Sequence, residues 1–414
     1  MLFIYNIIMN FKNLYDKFHN FDIDCDITKN ITIKKYLYGS GGSSNIILSA
    51  EDKKKNNLIV KIIPDIIYSN VKVEPDDEQL EIKFYQFLTK KYILSDRTPH
   101  IVGIFKHKKC ENISKLLKNI KLDEKCPTYE ETLTGKYIVP ESDYNICQLL
   151  LMHEMKLLNS SFDIILLEYC QYDLSTFIKN SIMDINDSDS DNYPNVIELF
   201  YYELQRILFQ LIFTLSIIKD DYPGFYHGDF FVRNILLSYV KDYKENDFVA
   251  YHYLDKIFYL PANGFYSKIN DFGTTIIIGE LTPNTYDLQK NYRKMFRINP
   301  YNKKNDIFNL LHDIYYGNNL GTISIIDLCL DLKMNFTKIF DIRNLLSKFI
   351  NVSIIDDINS KNRNMLNATW NIDTVKILED SVLSPEEYLL GKTFELFENL
   401  PKNAKIIKHF NLIA

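Results

Sequence analysis

Glycine and proline are scarce in this chain, whose 414 residues include 13 glycines and 12 prolines. Long disordered tails are usually rich in both residues, so the low counts argue against such tails. Hydrophobic residues make up 46% of the sequence and charged residues 25%, which is the balance of a globular protein. The composition therefore predicts a folded chain with enough apolar material for a sizeable core.

An excess of basic charge is also missing, since the formal net charge is -6. A nucleic-acid-binding surface needs a concentrated basic face, so we expect no nucleic-acid partner. Long apolar runs are missing as well: Met1–Met9 is apolar but has only about half the length that a spanning helix requires. This segment carries no basic stretch and no small-residue cleavage site, so we expect neither a signal peptide nor a membrane partner.

Cysteine is present in six copies, which are scattered and form no Cys-x-x-Cys pair. This pattern favours reduced thiols in a cytoplasmic compartment over a disulfide framework or a metal site. The six residues are Cys25, Cys110, Cys126, Cys147, Cys170 and Cys329.

Two acidic motifs are the most informative features that are present. Within Tyr226–Leu237, Asp229 lies five residues before Asn234, and Lys268–Gly273 carries a second carboxylate, Asp271. A carboxylate can orient a hydroxyl group and accept its proton. Carboxamide and carboxylate oxygens are the ligands that Mg²⁺ prefers. The two motifs therefore indicate a general base and oxygen ligands for a hard cation.

A glycine-rich turn at Gly39–Ser44 precedes them, and Lys61 follows Ile46 by fifteen residues within an apolar strand. Small residues let backbone N–H groups approach phosphate oxygens. A lysine in an apolar strand needs a partner for its charge. On the next predicted helix we favour Glu81 over Glu78 as this partner, because apolar residues follow Glu81 at helical spacing.

In this order the four features resemble the protein-kinase family, in particular its divergent, mimivirus-like members from giant DNA viruses. The resemblance covers about residues 31–320. It implies an α+β, bilobal protein-kinase-like fold with a small β-rich N-lobe and a larger α-helical C-lobe. A lead-in would occupy residues 1–30. The N-lobe would span residues 31–169, with an insertion at about 106–160. The C-lobe would span residues 170–414, with an inserted hairpin at about 238–266.

The resemblance also implies a role for each motif, with ATP and Mg²⁺ as cofactors. Asp229 would be the catalytic base, and Asn234 and Asp271 would hold the metal ion. Arg233 would supply the positive charge lost where Phe231 replaces the usual lysine. The nucleotide would be bound by the glycine turn, the strand lysine with its partner, two hinge residues and an apolar floor: Gly39, Ser40, Gly41, Gly42, Ser43, Ile46, Lys61, Glu81, Glu168, Cys170 and Leu236.

Departures from the family pattern keep alternatives open. Gly228 replaces the arginine of the usual His-Arg-Asp, and Ile59 stands where alanine is usual. No Ala-Pro-Glu follows Asp271–Gly273, so the peptide-docking floor is altered.

Asp306, at the start of a later helix, would brace the catalytic loop.

The leading hypothesis is a protein kinase that transfers the γ-phosphate of ATP to serine or threonine hydroxyls of a protein substrate. It would act in the host cytoplasm or the virion. The His-Gly-Asp form also suits a small-molecule kinase of the aminoglycoside or choline type. A nucleotide-binding pseudokinase scaffold is the third hypothesis. The sequence leaves the oligomeric state open.

Periodicity and turn residues predict the remaining elements. Pro64 should end the third strand, and the acidic stretch Met183–Asn195 should be a mobile loop. Predicted strands cover residues 31–38, 45–50, 58–63, 98–102 and 162–169, with a hairpin in 248–260. Predicted helices cover 74–91, 146–158, 196–219, 306–316 and 384–399.

Overall fold

The computed structural model describes residues 7–21, 23–37, 45–66, 76–113, 115–116, 144–281, 302–316, 325–353 and 381–412. The chain divides into two compact units. The sheet unit consists of Met9–Gln86 and Gly103–Tyr169, and the helical unit of Met1–Ile8, Phe87–Val102 and Cys170–Ala414. Helices and antiparallel strands are both abundant, as the predicted α+β class requires.

The sheet unit is built on five antiparallel strands. Its central strands are apolar and almost wholly buried, because they are covered on both faces. In chain order the strands are β1 (Ile31–Leu37), β2 (Ile46–Asp52), β3 (Asn57–Ile66), β4 (Ile104–Cys110) and β5 (Leu158–Glu168), and their order in the sheet is β1-β2-β3-β5-β4.

Pro64 does not end the third strand, contrary to the prediction. It pairs with Phe162 of β5, and the register becomes irregular between Pro64 and Ile66. Proline has no N–H to give to a sheet, so it is tolerated next to such an irregularity. The strand therefore runs three residues beyond the predicted end at residue 63.

The predicted lead-in contains a helix, α1 (Ile7–His19), that packs on this sheet. The rings of Phe11 and Phe18 lie 5.1 and 5.2 Å from that of Phe105 in β4. Lys17 forms an ion pair with Asp52 at the end of β2. The buried aromatic rings make α1 part of the core of the sheet unit.

A disulfide joins Cys25 to Cys110, which contradicts the prediction of reduced thiols. Cys147 is disulfide-bonded as well. Cys25 and Cys110 lie 85 positions apart in sequence, yet their Cα atoms are 5.7 Å apart because the lead-in runs beside β4. Spacing along the chain gives no sign of such a long-range approach. Cys329 is a buried thiol outside the disulfides of the described residues, and Cys170 is a thiol of intermediate exposure.

The predicted insertion is shorter at both ends than the sequence suggests. Residues 106–110 belong to β4 and residues 158–160 to β5, so the connection between the strands covers 111–157. It contains helix α3 (Tyr144–Glu154). The strand predicted at 98–102 is wrong: there, Ile101 forms an isolated bridge with Ile269 inside the helical unit.

Helix α2 (Asp76–Leu88) follows β3 and continues as a π-helical turn at Thr89–Ile93. In the helical unit, α4 (Leu174–Asp187) begins at Asp173, whose carboxylate accepts the N–H of Thr176 at 2.6 Å. A second long helix, α5 (Tyr193–Asp221), is buried along almost all of its second half.

The predicted mobile loop at 183–195 is therefore mostly helical, and five residues, 188–192, separate α4 from α5. Ile182 and Ile185 lie on the buried face of α4, whereas its acidic residues Asp184 and Asp187 are exposed.

The short strands of the helical unit form three small sheets. Two of them are the three-stranded sheets β11-β8-β6 and β10-β9-β13, and the third pairs β12 with β7. The predicted hairpin is present as β9 and β10. The strands are β6 (Tyr172–Asp173), β7 (Phe225–Tyr226), β8 (Ile235–Val240), β9 (Asp247–Tyr253), β10 (Lys256–Pro261), β11 (Gly264–Ile269), β12 (Ile276–Ile277) and β13 (Lys405–Phe410).

Helix α5 forms hydrogen bonds to β10 and β11 through two buried polar side chains. Gln210 accepts the Ser267 N–H at 2.7 Å and donates to the Phe265 carbonyl at 3.0 Å. Arg206 donates to the Pro261 carbonyl at 2.9 Å. These bonds satisfy backbone groups of both strands, and the two bonds of Gln210 hold the middle of β11, the strand that leads to Asp271.

The remaining described helices are α6 (Asn305–Tyr316), α7 (Ile325–Asp331), α8 (Phe336–Leu346) and α9 (Pro385–Leu390). The single helix predicted over 384–399 is wrong. Ser384 and Glu387 form a capping box at the start of α9, but Gly391 takes an extended conformation and ends it, and a separate turn of 3₁₀ helix follows at Glu395–Phe397. No helix among the described ranges is long and apolar enough to cross a membrane.

Candidate functional site

The predicted lysine and its acidic partner form a buried ion pair in the sheet unit. Lys61 lies in β3 and Glu81 in α2, with 6% and 7% of their surfaces exposed. Lys61 Nζ lies 2.5 Å from Glu81 Oε1. Removing one partner of such a pair would leave a buried charge without compensation, so each side chain holds the other in position.

The predicted adenine-site residues of the sheet unit lie on its central strands. Ile46 is buried opposite Ile62. Ile59, at the position where the family usually has alanine, pairs with Leu167. The N–H of Glu168 donates to the Gly103 carbonyl at 2.9 Å, so the predicted adenine contact would have to use the carbonyl of Glu168.

The other predicted nucleotide-binding residues lie outside the central strands of the sheet unit or outside the described residues. Cys170, in the helical unit, is a partly exposed thiol. Leu236 is half-buried in β8. The glycine-turn residues Gly39, Ser40, Gly41, Gly42 and Ser43 lie outside the described residues.

The loop between β7 and β8 brings three predicted site residues together. The carboxylate of Asp229 accepts one hydrogen bond from Arg233 Nη2 at 2.5 Å and another from Asn234 Nδ2 at 2.6 Å. Asn234 Nδ2 also donates to the Asp229 carbonyl at 2.8 Å. Both carboxylate oxygens are thus oriented by neighbours four and five residues along the chain, through the 3₁₀ turn at Val232–Asn234.

One guanidinium nitrogen of Arg233 has no acceptor among the described residues. Its guanidinium group lies 5.0 Å from the centre of the Phe231 ring, and its side chain is 12% exposed. Nη1 is buried and has no hydrogen-bond acceptor among the residues that the structure describes. A buried donor left unsatisfied is costly, so this atom is suited to an anionic ligand.

Asn234 and Asp271 lie on neighbouring chain segments. Strand β8 pairs with β11 through Ile235 and Ile269, and the N–H of Asn270 donates to the Asn234 carbonyl at 3.0 Å. Asp271 has a positive φ of 63°, an uncommon conformation for a residue other than glycine. Such conformations often occur at functional sites.

These two residues also fit Mg²⁺ by their chemistry. Because Nδ2 of Asn234 is used by Asp229, its Oδ1 is the atom that could face a cation, and Asp271 adds a carboxylate. Within the described ranges no group of three His, Cys, Asp or Glu side chains could hold a metal ion. Mg²⁺ commonly takes one or two protein ligands and completes its shell with water and substrate phosphates, so the two-residue set fits.

His227 anchors the loop. It is fully buried, and Nε2 donates to the Asn270 carbonyl at 3.1 Å while Nδ1 accepts the Asp229 N–H at 3.3 Å. Burial lowers the pKa of His227 below its ordinary value, although the carboxylates of Asp306 and Asp229 oppose this effect. The imidazole is therefore neutral and links the Asp229 loop to the segment before Asp271.

The structure explains why glycine replaces arginine at position 228. Gly228 has a φ of +82°, and a Cβ atom there would lie 2.7 Å from the carbonyl oxygen of Thr274. The hydroxyls of Thr274 and Thr275 both donate to the His227 carbonyl at 3.1 Å. This close approach leaves no space for a side chain at position 228.

Asp306 braces the loop as the sequence suggested. It is fully buried at the start of α6, and Oδ1 accepts the His227 N–H at 3.2 Å. Sequence analysis missed its cationic partner: Lys219 Nζ, also buried, lies 3.0 Å from Asp306 Oδ2. The signal was a lone lysine in the apolar half of α5, which resembles an ordinary helix-end lysine. Sequence analysis also missed Asp313, whose Oδ2 accepts the Val232 N–H at 2.9 Å.

Comparison with known proteins finds relatives in one virus. The chain is 48% identical over 405 residues to a protein of Acanthamoeba polyphaga mimivirus named "Putative serine/threonine-protein kinase", covering 97% of this chain and 99% of the relative. A second mimivirus protein with the same type of name is 26% identical over 259 residues, covering 59% of this chain and 48% of the relative. No protein-family model matches the chain.

Among solved structures, the BubR1 kinase domain aligns with a TM-score of 0.31 and 11% identity, over 61% of this chain and 49% of that one.

Proposed function

This chain belongs to the protein-kinase family of its mimivirus relatives, and we propose that it transfers the γ-phosphate of ATP, with Mg²⁺, to serine or threonine hydroxyls of a protein substrate. The observation that carries the proposal is the cluster in which Arg233 and Asn234 orient the carboxylate of Asp229. A carboxylate held through both oxygens suits a base that must meet a hydroxyl in one orientation.

Phosphoryl transfer requires the phosphates to be held, their charge offset and the nucleophile placed in line. Asp229 would orient the substrate hydroxyl and accept its proton. Arg233 Nη1, which has no acceptor of its own among the described residues, would donate to the transferring phosphoryl group. During the transfer, His227 would hold the loop in place through its hydrogen bond to the Asn270 carbonyl.

The nucleotide and metal would be held by the other predicted residues. Asn234 Oδ1 and the Asp271 carboxylate would hold Mg²⁺, which when bound offsets charge on the phosphates. In the sheet unit, Lys61 would contact the α- and β-phosphates, with its ammonium group held by Glu81. Both assignments follow from the donor types at those positions and from membership in the family.

Replacing Arg233 by alanine should lower kcat by about 10- to 100-fold and change the KM for ATP by less than about threefold. The reason is that the guanidinium would act on charge that develops during transfer more than on the bound nucleotide. Steady-state kinetics with saturating substrate measure both constants. Arg233→Lys, which keeps the charge but not the forked donors, should retain intermediate activity. An unchanged kcat in Arg233→Ala removes Arg233 from the site.

The proposal is tested by incubating the purified protein with γ-labelled Mg²⁺-ATP and a panel of acceptors. We expect label on serine or threonine of a generic protein substrate such as casein. Label on aminoglycosides or choline and on no protein would favour the small-molecule kinase, the form suggested by His227-Gly228-Asp229. Binding of Mg²⁺-ATP without label on any acceptor would favour the pseudokinase.

A further inference from the structure

Helix α6 supplies two buried carboxylates to the loop that carries Asp229. Asp306 and Asp313 are seven residues apart, which is two helical turns, so they share one face of the helix. They are 0% and 1% exposed. Burial of two acidic groups on one face of a helix is expensive unless each meets a specific donor.

The two carboxylates contact opposite ends of the loop. Asp306 accepts the N–H of His227, two residues before Asp229, at 3.2 Å. Asp313 accepts the N–H of Val232, three residues after Asp229, at 2.9 Å. A single rigid element therefore fixes the backbone on both sides of Asp229.

The contact at Val232 supplies a hydrogen-bond acceptor to the start of a 3₁₀ turn. Val232 is the first residue of the 3₁₀ turn that ends at Asn234. The first N–H groups of a helical turn have no partner inside the turn, so they need an external acceptor. Asp313 thus fixes the start of the turn that presents Arg233 and Asn234.

We propose that Asp313 is a positioning residue that sets the direction of Arg233 and Asn234, and thereby both the affinity for Mg²⁺ and the rate of transfer. This inference rests on the proposed function. Asp306, paired with Lys219, holds the end of the loop at His227. Asp313 holds the end that bears the predicted metal ligand, so its loss should affect the metal requirement more than nucleotide affinity.

The test compares Asp313→Leu, which removes the acceptor, with Asp313→Asn, which keeps an acceptor oxygen. In Asp313→Leu we expect kcat to fall by about 10- to 100-fold and the Mg²⁺ concentration for half-maximal rate to rise by about tenfold. Asp313→Asn should remain within about threefold of wild type in both. A second readout is independent of turnover: the rise in melting temperature caused by Mg²⁺-ATP, relative to ATP alone, should shrink in Asp313→Leu.

Asp341→Leu is a matched control. Asp341 accepts the hydroxyl of Tyr193 at 2.8 Å, so it is a helix carboxylate that joins two elements but does not touch the loop. Its loss should lower the melting temperature while leaving kcat and the Mg²⁺ requirement within about twofold of wild type.

Val232→Pro keeps the inference testable if Asp313→Leu fails to fold. Proline removes the N–H that Asp313 accepts and is suited to the first position of a turn, and Phe231 before it already has the extended backbone that proline favours. Val232→Pro alone should lower kcat by about 10- to 100-fold, because it removes the same bond, and adding Asp313→Asn in that background should change kcat by less than about twofold further.

The outcomes separate this inference from the function on which it rests. Wild-type protein that shows neither label transfer nor a Mg²⁺-dependent rise in melting temperature with ATP would refute the proposed function itself. Wild type that shows both, with Asp313→Leu equal to it in kcat and Mg²⁺ requirement, overturns the role of Asp313. The same conclusion follows if Val232→Pro alone equals wild type in kcat and Mg²⁺ requirement, or if Asp313→Asn lowers kcat more than tenfold relative to Val232→Pro alone.

Discussion

Asp229→Asn should lower phosphotransfer by about 10²- to 10⁴-fold and leave nucleotide affinity within about twofold. The amide cannot accept a proton from the substrate hydroxyl. It also loses one of the two acceptor oxygens that Arg233 and Asn234 use, because one carboxylate oxygen becomes an NH₂ donor. The label-transfer assay measures the rate, and the melting temperature at increasing concentrations of Mg²⁺-ATP measures binding.

Asp255→Asn provides the comparison for this variant. Asp255 is exposed in the turn between β9 and β10, so the same chemical change there should leave the rate within experimental error of wild type. If Asp229→Asn retains more than about a tenth of wild-type activity, Asp229 is not the base, and the proposed mechanism fails at its central step.

Lys219→Met should lower the free energy of unfolding by about 3 to 5 kcal/mol, the largest stability effect that we expect from a single substitution here. The change leaves the carboxylate of Asp306 fully buried without its cation. The substitution should also destabilise the loop that carries Asp229, because Asp306 accepts the His227 N–H. Urea titration followed by circular dichroism measures the effect.

A surface ion pair gives the matching control. Lys303 and Glu386 lie 3.5 Å apart with 41% of each side chain exposed, so Lys303→Met should cost less than about 1 kcal/mol. Similar losses for Lys219→Met and Lys303→Met would show that the buried pair has no special weight in stability.

Local patterns in the sequence were enough to predict contacts between residues that are close along the chain. The apolar residues after Glu81 gave the register of α2, and the structure pairs Glu81 with Lys61. Asp229, Arg233 and Asn234 lie within six residues of one another, so one turn brings them together. The roles assigned to these residues remain predictions.

Contacts between distant segments could not be predicted from such patterns. Lys219 and Asp306 are 87 positions apart, and either alone resembles an ordinary helix-terminal residue. Cys25 and Cys110 meet because a lead-in lies along a strand, which their spacing does not reveal. The helix expected over 384–399 failed for a different reason: its apolar periodicity continued past Gly391, where the backbone turns away.

The parallel pairing of β13 with β9 determines when this part of the molecule can fold. The two strands are separated by more than 150 residues, from Tyr253 to Lys405. At about 5 to 20 residues per second, a ribosome needs roughly 8 to 30 s to synthesise the intervening chain. During that interval β9 and β10 can form their hairpin, but the edge of β9 must wait for a partner. A nascent chain with an open strand edge is a substrate for chaperones, so yield in recombinant expression should depend on how long this edge stays uncovered.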